Sequence, residues 1–200
     1  MARPPKRRNE AFPEKRRALL EKLSAVMLTP EGATLSFRAI ARASGVTPPT
    51  LRHYFRTHEG VVEAVLAHVA DAQRRRIETL ASDDADRDAT LRSLYAEMIA
   101  AWQDGLDAAF SFGTRLPPAQ SAIFVDRVVE PWMHAVEARL ARLMARGELR
   151  RANVRHAAMA LLGPLTMGLL LRDTWSAARR PAIDDLAQEQ LAAFVAAYGA

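Results

Sequence analysis

The residues best placed to act on a partner molecule lie on the outer face of one predicted short helix. Leu51 and Phe55 are four residues apart and form its inner face. The guanidinium of Arg52 can pair with a phosphate group or with the edge of a guanine base. A threonine hydroxyl can donate a hydrogen bond to a phosphate oxygen. The side chains that point outward are those of Pro49, Thr50, Arg52 and His53.

Two helices must hold this face in place, and the sequence marks their ends. Ser36 can cap the first helix, because its oxygen can accept an otherwise unpaired N–H group. Gly45 ends that helix, since glycine readily adopts the left-handed conformation needed there. Thr47 caps the second helix, and Pro48 fits its first position. A short helix, a glycine turn and a second helix with a polar outer face predict a helix-turn-helix reader of the DNA major groove.

A longer helix follows and extends beyond this first unit. Thr57 can cap it, and the apolar period predicts it from about His58 to Leu80. An earlier helix, from about Pro13 to Met27, supplies an apolar stripe on which the helix-turn-helix packs. An acidic stretch at residues 82–86 then marks a domain boundary. The predicted buried side of the long helix carries Val61, Val62, Val65, Leu66 and Val69.

The positive charge of the chain is concentrated around the same motif. Residues 1–60 contain 12 lysines and arginines against 5 acidic residues, an excess of +7. Residues 61–200 contain 16 against 18, a balance of −2. A phosphate backbone needs its positive partners beside the reading helix. The first twelve residues form a basic arm that could follow phosphates or enter the minor groove, and a tail without specific contacts is the alternative.

The composition argues against several classes of protein. The 200 residues include no cysteine, which excludes disulfides and thiolate metal sites and favours a cytoplasmic protein. The basic start lacks the apolar run of a signal peptide. The longest apolar run, Ala157 to Leu171, is shorter than a bilayer span and predicts a buried helix, so we expect no membrane partner. Motifs of hydrolases, phosphate-binding loops and zinc proteases are missing, so we expect no catalytic residue, metal or cofactor.

The remainder of the chain is predicted to be helical, with no strand and no repeat. Pro131 and Pro164 should bend two of its helices, which spoils close packing along them. Bent helices and large flexible side chains favour a pocket for an apolar ligand, while ordinary core packing is the alternative for each residue. The candidate pocket residues are Tyr95, Met98, Trp102, Phe110, Phe124, Trp132, Met159, Met167 and Trp175.

The last two predicted helices carry more apolar surface than one domain core can use. The helix from Asn153 to about Trp175 is apolar nearly all round in its middle, and Asp184 can cap the helix after it. A partner chain best explains the surplus, and a larger core within one chain is the alternative. The candidate interface residues are Leu171, Leu186, Leu191, Phe194 and Val195.

Residues 13–66 resemble the DNA-binding domain of the TetR family of transcriptional regulators. The resemblance rests on two caps, a glycine turn and core spacing in one register. The residues that carry it are Ser36, Ile40-Ala41, Gly45-Val46-Thr47, Thr50-Leu51, Tyr54-Phe55 and Glu59. By position, it implies contacts to base edges from Thr47, Pro48, Pro49 and His53, and contacts to phosphates from Ser36, Thr50, Arg52, Tyr54 and His58.

Three positions depart from the family pattern. The family usually has tyrosine where Arg52 stands, lysine where His58 stands, and often a hydroxyl residue where Leu35 stands. Arginine keeps the capacity to bind phosphate. A histidine side chain is mostly neutral near pH 7, so His58 is a weaker anchor than lysine. An ordinary surface histidine is the alternative for both His53 and His58.

We therefore predict an all-α protein with an N-terminal three-helix helix-turn-helix domain and a C-terminal helical-bundle regulatory domain. The expected parts are a basic flexible arm at 1–12, a DNA-binding domain at 13–66 with a connecting helix to about 80, and a ligand-binding and dimerisation domain at 81–200. The resemblance implies a homodimer that binds a palindromic double-stranded operator, typically as a repressor released or retuned by a small, largely apolar ligand. A small-molecule sequestering protein with a vestigial DNA-binding head is the alternative.

Overall fold

The computed structural model describes residues 11–82, 85–172 and 174–200, and this part of the chain is all helical. Its one β contact is an isolated antiparallel bridge between Leu149 and Gly199. The predicted all-α class is confirmed. The α-helices of the described part are α1 (Ala11–Met27), α2 (Phe37–Ala43), α3 (Pro48–Phe55), α4 (His58–Ser82), α5 (Arg87–Ala101), α6 (Asp107–Gly113), α7 (Pro118–Phe124), α8 (Glu130–Ala145), α9 (Val154–Leu171) and α10 (Ile183–Tyr198).

The first three helices pack on the start of α4 and form the reading head. Leu23 and Met27 of α1 have no exposed surface, and the same is true of Ile40 in α2 and Leu51 in α3. The stripe predicted for α4 is also buried from Val61 to Val69. These apolar side chains come from four helices, so their burial fixes the angle at which α3 is held.

The N-terminal boundary differs from the sequence prediction. Helix α1 begins at Ala11, two residues before the expected start at Pro13. Phe12 therefore belongs to the reading head and not to a flexible arm. Residues 1–10 of the predicted arm and positions 83–84 of the predicted acidic hinge lie outside the described residues.

Helix α4 joins the reading head to the regulatory domain as one continuous element. It has 25 residues, which corresponds to about 37 Å of helix. It packs on α1 and α3 of the reading head and on α5, α7 and α8 of the regulatory domain. At its end the carbonyl of Leu80 accepts a hydrogen bond from Nη1 of the buried Arg139, at 2.8 Å. The end of α4 is therefore anchored inside the regulatory domain.

Irregular segments interrupt two helices of the regulatory domain. A kinked segment, Trp102–Leu106, follows α5, and the backbone angles of Asp104 and Gly105 within it are not helical, with φ +96° at Gly105. A π-helical segment, Val125–Val129, joins α7 to α8 and lies just before Pro131. Proline has no N–H group to continue the helical ladder, and a wider turn accommodates that loss. The regular α-helix is thus interrupted just before Pro131, and the bend expected there stays a prediction.

The last two helices differ from the prediction at the C-terminal end of α9 and at the N-terminal start of α10. Helix α9 ends at Leu171 and not near Trp175, because the chain turns there and the N–H of Arg172 bonds to the carbonyl of Leu169. Helix α10 begins at Ile183 after Ala182, which provides no side-chain cap. Asp184 is therefore inside the first turn, where its charge suits the helix dipole, and the prediction that it caps the helix is wrong.

Helix α9 is apolar on more sides than the chain covers. Its 18 residues have a mean hydropathy of 1.4, so by length and composition it could cross a membrane, a test that core helices of soluble proteins also pass. Only 39% of that stretch is buried inside the chain, so it is less buried than the sequence predicted. Met159 and Met167 are 58% and 54% exposed, and Leu170 lies on the same face. An unpaired apolar face of this kind marks an interaction surface.

Candidate nucleic-acid interface and effector cavity

The reading helix α3 is fixed at its start by its own side chains. Oγ1 of Thr47 accepts a hydrogen bond from the backbone N–H of Thr50, at 3.3 Å, and Pro48 occupies the first helical position. The hydroxyl oxygens of Thr47 and Thr50 lie 2.8 Å apart. One hydroxyl must donate to the other, so one O–H group of the pair remains for an external acceptor. The predicted cap thus also presents a polar group at the tip of the helix.

Helix α2 is arranged in the same way, and the turn between the two helices has the predicted geometry. Oγ of Ser36 accepts a hydrogen bond from the N–H of Ala39, at 3.3 Å. Gly45 has φ +71°, a conformation that side chains with a Cβ atom rarely adopt. Because both helices are capped and the turn is specified, the outer face of α3 needs no rearrangement before it meets a groove.

The outer face of α3 carries the residues that the sequence placed there. Arg52 and His53 are exposed, as are Pro49 and Thr50, whereas Leu51 is fully buried. The guanidinium of Arg52 lies over the ring of Phe37 in α2, 5.9 Å from the ring centre. This cation–π contact holds the charge beside the start of α2.

A cluster of three rings, from Phe12, His53 and Tyr54, connects the reading helix α3 to α1. The ring of Tyr54 stacks on Phe12 of α1 with centres 5.1 Å apart. His53 meets both rings edge-on, at 6.0 Å from Phe12 and 5.2 Å from Tyr54. Phe12 has no predicted role, because it falls within the predicted arm at residues 1–12. The spacing of Phe12 from the buried Leu19, seven residues on, is the signal that could have placed it on the helix.

His58 is tied to the segment that precedes α2. Its Nε2 lies 3.1 Å from the backbone carbonyl of Leu35, and the ring is half-buried. A carbonyl oxygen can only accept, so Nε2 is the donor and carries the proton. The next residue, Glu59, has a carboxyl that accepts hydrogen bonds from the backbone N–H of Glu59 itself and from the side chain of Thr57. These bonds hold the pKa of the Glu59 carboxyl below its ordinary value. The structure thus gives one ring nitrogen of His58 an internal partner.

A positively charged groove of about 1050 Å³ runs between α2, α3 and the start of α4. Arg38, Arg52 and Arg56 line it, and none of these three has an acidic partner among the described residues. Unpaired guanidinium groups along a groove are the chemistry that binds a phosphate backbone. Arg38 and Arg56 were not singled out from the sequence, since neither lies on the face of α3. The full lining is Ser36, Phe37, Arg38, Pro48, Pro49, Arg52, Arg56, Thr57 and His58.

The backbone at Arg56 is strained, and the turn that it forms connects α3 to α4. Arg56 has φ 63° and ψ −60°, and the N–H of Thr57 bonds to the carbonyl of Phe55 at 2.7 Å. This is a three-residue γ-turn of the rare type that has a positive φ at its central residue, and it costs about 1–3 kcal/mol for a residue with a side chain. The surrounding helices hold it in place, so the Arg56 side chain is displayed at a defined position in the groove.

A cavity of about 500 Å³ lies in the regulatory domain between α4 and the bend before α8. Its floor is apolar and includes Ile77, Val128 and Trp132, and charged side chains surround its rim. Two of the rim arginines are already paired, Arg74 with Asp71 and Arg127 with Glu63. The full lining is Ala67, Ala70, Asp71, Gln73, Arg74, Ile77, Glu78, Asp126, Arg127, Val128, Pro131 and Trp132.

Two further cavities share one aromatic wall. Trp102 and Leu169 line a cavity of about 460 Å³ beside the start of α10. The same two residues line one of about 550 Å³ where Leu28 and Pro30 of the reading head meet α6 and α9. Across that junction Nη1 of Arg115 donates to the carbonyl of Pro30, at 3.2 Å. The reading head and the regulatory domain therefore touch here as well as through α4.

Most of the predicted pocket residues are packed into the core. Trp102, Phe110 and Phe124 form a continuous aromatic contact with successive ring centres 5.2 Å apart. The Tyr95 hydroxyl donates to the carbonyl of Leu161, and burial raises the pKa of that hydroxyl above its ordinary value. Met98 is 5% exposed in the same core. Of the predicted set, Trp102 and Trp132 line the cavities described above.

The other predicted pocket residues lie away from these cavities. Met159 and Met167 point outward from α9, so in a single chain they do not enclose a ligand. Trp175 is half-buried in the turn after α9. Within the described ranges, no group of three or more histidine, cysteine or acidic side chains could hold a metal ion.

Two family profiles match the chain, one in each domain. The profile described as bacterial regulatory proteins of the tetR family matches residues 31–65, which span α2, α3 and the start of α4. The profile described as the C-terminal domain of AefR-like transcriptional repressors matches residues 113–200. The chain belongs to the TetR family of transcriptional regulators. No curated protein sequence matches it.

Solved structures of TetR-family regulators share this fold. A protein from Mesorhizobium loti assigned to the family has a TM-score of 0.72 at 20% identity, over 94% of this chain and 98% of that one. The regulator FadR from Bacillus subtilis, in complex with stearoyl-CoA, has a TM-score of 0.72 at 14% identity, over 90% and 97%. SmeT, the repressor of the Stenotrophomonas maltophilia multidrug efflux pump SmeDEF, has a TM-score of 0.68 at 20% identity, over 92% and 90%.

The candidate dimer residues of this TetR-family chain divide into buried and accessible members. Phe194 is 2% exposed and stacks on Tyr198, with ring centres 4.6 Å apart. Leu186 packs where Gly168 brings α9 and α10 close together, since a Cβ atom on Gly168 would lie 2.5 Å from Leu186 Cδ2. Both residues are therefore used within the chain. Leu171, Leu191 and Val195 are half-buried, and the most exposed large apolar side chains near them are Met159, Met167 and Leu170.

Proposed function

We propose that the protein is a ligand-responsive transcriptional regulator of the cytoplasm that binds a palindromic operator as a homodimer, in the manner of a repressor. The observation that carries this proposal is the course of α4. Its first residue, His58, lines the groove of the reading head, and its residues from Ala67 to Glu78 line the cavity of the regulatory domain. One helix thus connects a surface suited to DNA with a cavity of the size that small ligands occupy.

In this proposal α3 enters the major groove and the arginines of the groove meet phosphates. Thr47, Pro48, Pro49 and His53 face base edges, while Ser36, Thr50, Arg52 and Tyr54 contact the backbone, with Arg38 and Arg56 as additional anchors. Nδ1 of His58 is the ring atom that remains for DNA, because Nε2 donates to Leu35. Two heads related by a twofold axis require half-sites about 34–36 Å apart or somewhat more.

The outer face of α9 and α10 provides the surface for the second copy. On α9 the side chains of Met159, Met167 and Leu170 are exposed, and on α10 those of Leu191 and Val195 are half-buried. Burial of such a face against its own copy removes apolar surface from water, which is the main favourable contribution to protein association.

Ligand binding acts on DNA affinity through α4 and the ion pairs that hold it. Arg76 of α4 bonds to Glu97 of α5 at 2.7 Å and to Asp104 of the kinked segment Trp102–Leu106 at 2.5 Å. A ligand between α4 and α8 changes the position of α4 and therefore the separation of the two reading heads. Groove spacing is fixed, so separation and operator affinity are coupled.

The decisive experiment selects binding sites from random DNA and measures affinity by fluorescence polarisation. We expect enrichment of an inverted repeat, and affinity for it about 10³-fold or more above that for scrambled DNA at physiological salt. Arg38→Ala and Arg56→Ala should each weaken binding to both DNAs by similar factors. Arg151→Ala is the matched control, because it removes an equal charge from an exposed site in the regulatory domain. Enrichment of no repeat, or binding lost with modest salt on every sequence, would contradict the proposal.

The alternative is a small-molecule sequestering protein whose DNA-binding head is vestigial. The internal hydrogen bond of His58 favours it, since the family's usual lysine is replaced by a side chain that is engaged elsewhere. The same polarisation measurement separates the two functions: the alternative requires weak, sequence-independent DNA binding together with tight ligand binding. His58→Lys should raise affinity for all DNA under either function, and so serves as a positive control for the assay.

A further inference from the structure

The imidazole of His53, on the outer face of α3, is oriented by two neighbouring rings. Its ring centre lies 6.0 Å from that of Phe12 and 5.2 Å from that of Tyr54. Both pairs are close to perpendicular, with interplanar angles of 86° and 78°. His53 is exposed, and neither of its ring nitrogens is hydrogen-bonded to another described residue. Both nitrogens are therefore available to a partner outside the chain.

The third ring of this cluster, that of Phe12, comes from the first turn of α1. It stacks on Tyr54 with ring centres 5.1 Å apart and an interplanar angle of 26°. Tyr54 in turn contacts Phe55 of the core, with centres 6.2 Å apart. Phe12 itself is 38% exposed, so it adds less to the core than a buried phenylalanine does. Its removal should therefore disturb the ring cluster more than the fold.

The two ring contacts restrict the plane of the His53 imidazole. Both nitrogen atoms lie in that plane, so the plane sets the directions in which the ring can donate or accept a hydrogen bond. An exposed side chain without such contacts samples several rotamers, and ordering it on binding costs free energy. A ring that is held in advance loses less freedom when it meets a base edge. This preorganisation favours the bases that the held ring can reach, so it acts on sequence preference.

We propose that Phe12 is a positioning residue for sequence recognition, which holds the imidazole of His53 in the orientation that reads a base edge and does not contact a base itself. The inference rests on the proposed function, because it requires that α3 enters the major groove with His53 facing the bases. It adds a residue of α1 to the determinants of specificity. The first turn of α1 then serves DNA reading and not only the packing of the head.

The test measures the ratio between affinity for the selected operator and affinity for scrambled DNA, by fluorescence polarisation. Phe12→Leu removes the ring and keeps an apolar side chain. We expect this variant to lower the ratio about two- to tenfold, the range that corresponds to one aromatic pair, with affinity for scrambled DNA unchanged. Phe12→Tyr keeps the ring and should retain the wild-type ratio. Circular dichroism confirms the fold of each variant, and Phe12→Met replaces Phe12→Leu if the latter is not folded.

A double-mutant cycle decides whether Phe12 acts through His53. If it does, Phe12→Leu should leave the ratio unchanged in a chain that already carries His53→Ala. Arg16→Ala is the matched control, because Arg16 also connects α1 to α3 but lies over Phe55, 5.3 Å from its ring centre, and not over a ring of the cluster. Loss of Arg16 should weaken the two DNAs by equal factors, if it weakens them at all, and so preserve the ratio.

The orientation of the ring can also be measured in the free chain. Neighbouring aromatic rings displace the NMR chemical shifts of the His53 ring protons. Phe12→Leu should move these shifts toward the values of an unstructured histidine, and Phe12→Tyr should leave them nearly unchanged. His134 of α8 is the internal control, and its shifts should be the same in all variants.

Three results would overturn the inference. Phe12→Leu leaves the ratio unchanged, it weakens operator and scrambled DNA by the same factor, or its effect survives in the His53→Ala chain. The second result would mean that Phe12 only supports the fold, and the third that Phe12 contacts DNA directly. Each of them requires a specific operator, so the proposed function would stand. If no specific operator exists, the proposed function fails instead, and unchanged His53 shifts in Phe12→Leu would overturn the positioning role as well.

Discussion

The reading head and the regulatory domain begin their helices in different ways. In the head, side-chain oxygens cap α2, α3 and α4, from Ser36, Thr47 and Thr57. In the regulatory domain Asp86 and Asn153 cap α5 and α9, but α7 and α10 begin without a side-chain cap. Each cap orders a helix start locally, without help from distant contacts. The head is thus specified by its own short sequence, whereas the regulatory domain depends more on tertiary packing.

Cavities and helix interruptions show the same contrast. The kinked segment Trp102–Leu106 and the π-helical segment Val125–Val129 both lie in the regulatory domain, and each borders a cavity. Both regions contain buried polar atoms without described partners, but in the head these are the small hydroxyl groups of Ser24 and Ser44. A DNA-reading surface must match a groove of fixed shape, so it is best preformed. An effector site must change when it is filled, and incomplete packing permits that change.

Core truncation should produce the largest difference between the two regions. Leu51→Ala removes a side chain with no exposed surface and should lower the free energy of unfolding by about 2–5 kcal/mol. Ile77→Ala, on the half-buried cavity wall, should cost only about 1 kcal/mol, because fewer atoms surround it. Urea denaturation at one fixed protein concentration measures both. Equal losses would show that the cavity wall is as tightly packed as the head.

Substitutions on the outer face of α3 should affect DNA binding and leave ligand binding unchanged. Arg52→Ala should weaken operator and scrambled DNA equally, by about tenfold, and reduce the salt slope by about 1, because a phosphate contact is lost. His53→Ala should weaken the operator selectively, because a base contact is lost. Polarisation titrations over a salt series measure both effects, with Arg151→Ala as control. An operator-selective loss for Arg52→Ala would reverse the two assignments.

Cap exchange should move stability in opposite directions in the two regions. Thr47→Ala removes the cap of α3 and should cost about 1 kcal/mol of unfolding free energy. Ala182→Ser adds a cap where α10 has none, with Asp185 at the third helical position to complete a capping box, and should gain about 1 kcal/mol. Thermal and urea unfolding report both changes. If Ala182→Ser has no effect, helix capping is not what distinguishes the regions.

The parts of the fold that could be predicted from sequence are those specified by local signals. Helices α2 and α3 and the start of α4 follow from Ser36, Gly45, Thr47 and Thr57, each of which acts on residues within one turn. The domain order and the breaks at Gly105 and before Pro131 follow for the same reason. Most of the expected DNA contacts also fall on exposed positions, because side chains opposite Leu51 must face outward, whereas Pro48, Tyr54 and His58 are half-buried.

The cavity between α4 and α8 could not be predicted, because it forms where segments far apart in the sequence leave space between them. The sequence pointed to the largest apolar side chains, and those mostly fill the core: Tyr95 and Phe124 are buried, and Phe110 packs against the core. The cavity lies beside them, where α4 passes the π-helical segment before Pro131. Gln73 has no local signature at all, since a glutamine on a helix is ordinary until its surroundings are known. The groove arginines Arg38 and Arg56 were missed for a related reason, because their proximity to Arg52 is tertiary.

The smallest predicted effect concerns the unpartnered carboxamides. Gln73→Leu and Gln120→Leu should each raise the free energy of unfolding of the ligand-free chain by about 0.5–1 kcal/mol, because an apolar side chain of similar size replaces a buried group that makes no hydrogen bond. Urea denaturation without ligand measures this gain.

A gain at Gln120 without a gain at Gln73 would mean that the free protein already satisfies Gln73 in another way, for instance through ordered water. A gain at both sites would show that each buried carboxamide without a partner lowers the stability of the regulatory domain. The reading head has no equivalent position among its described residues, since its buried Ser24 and Ser44 line none of the cavities described here.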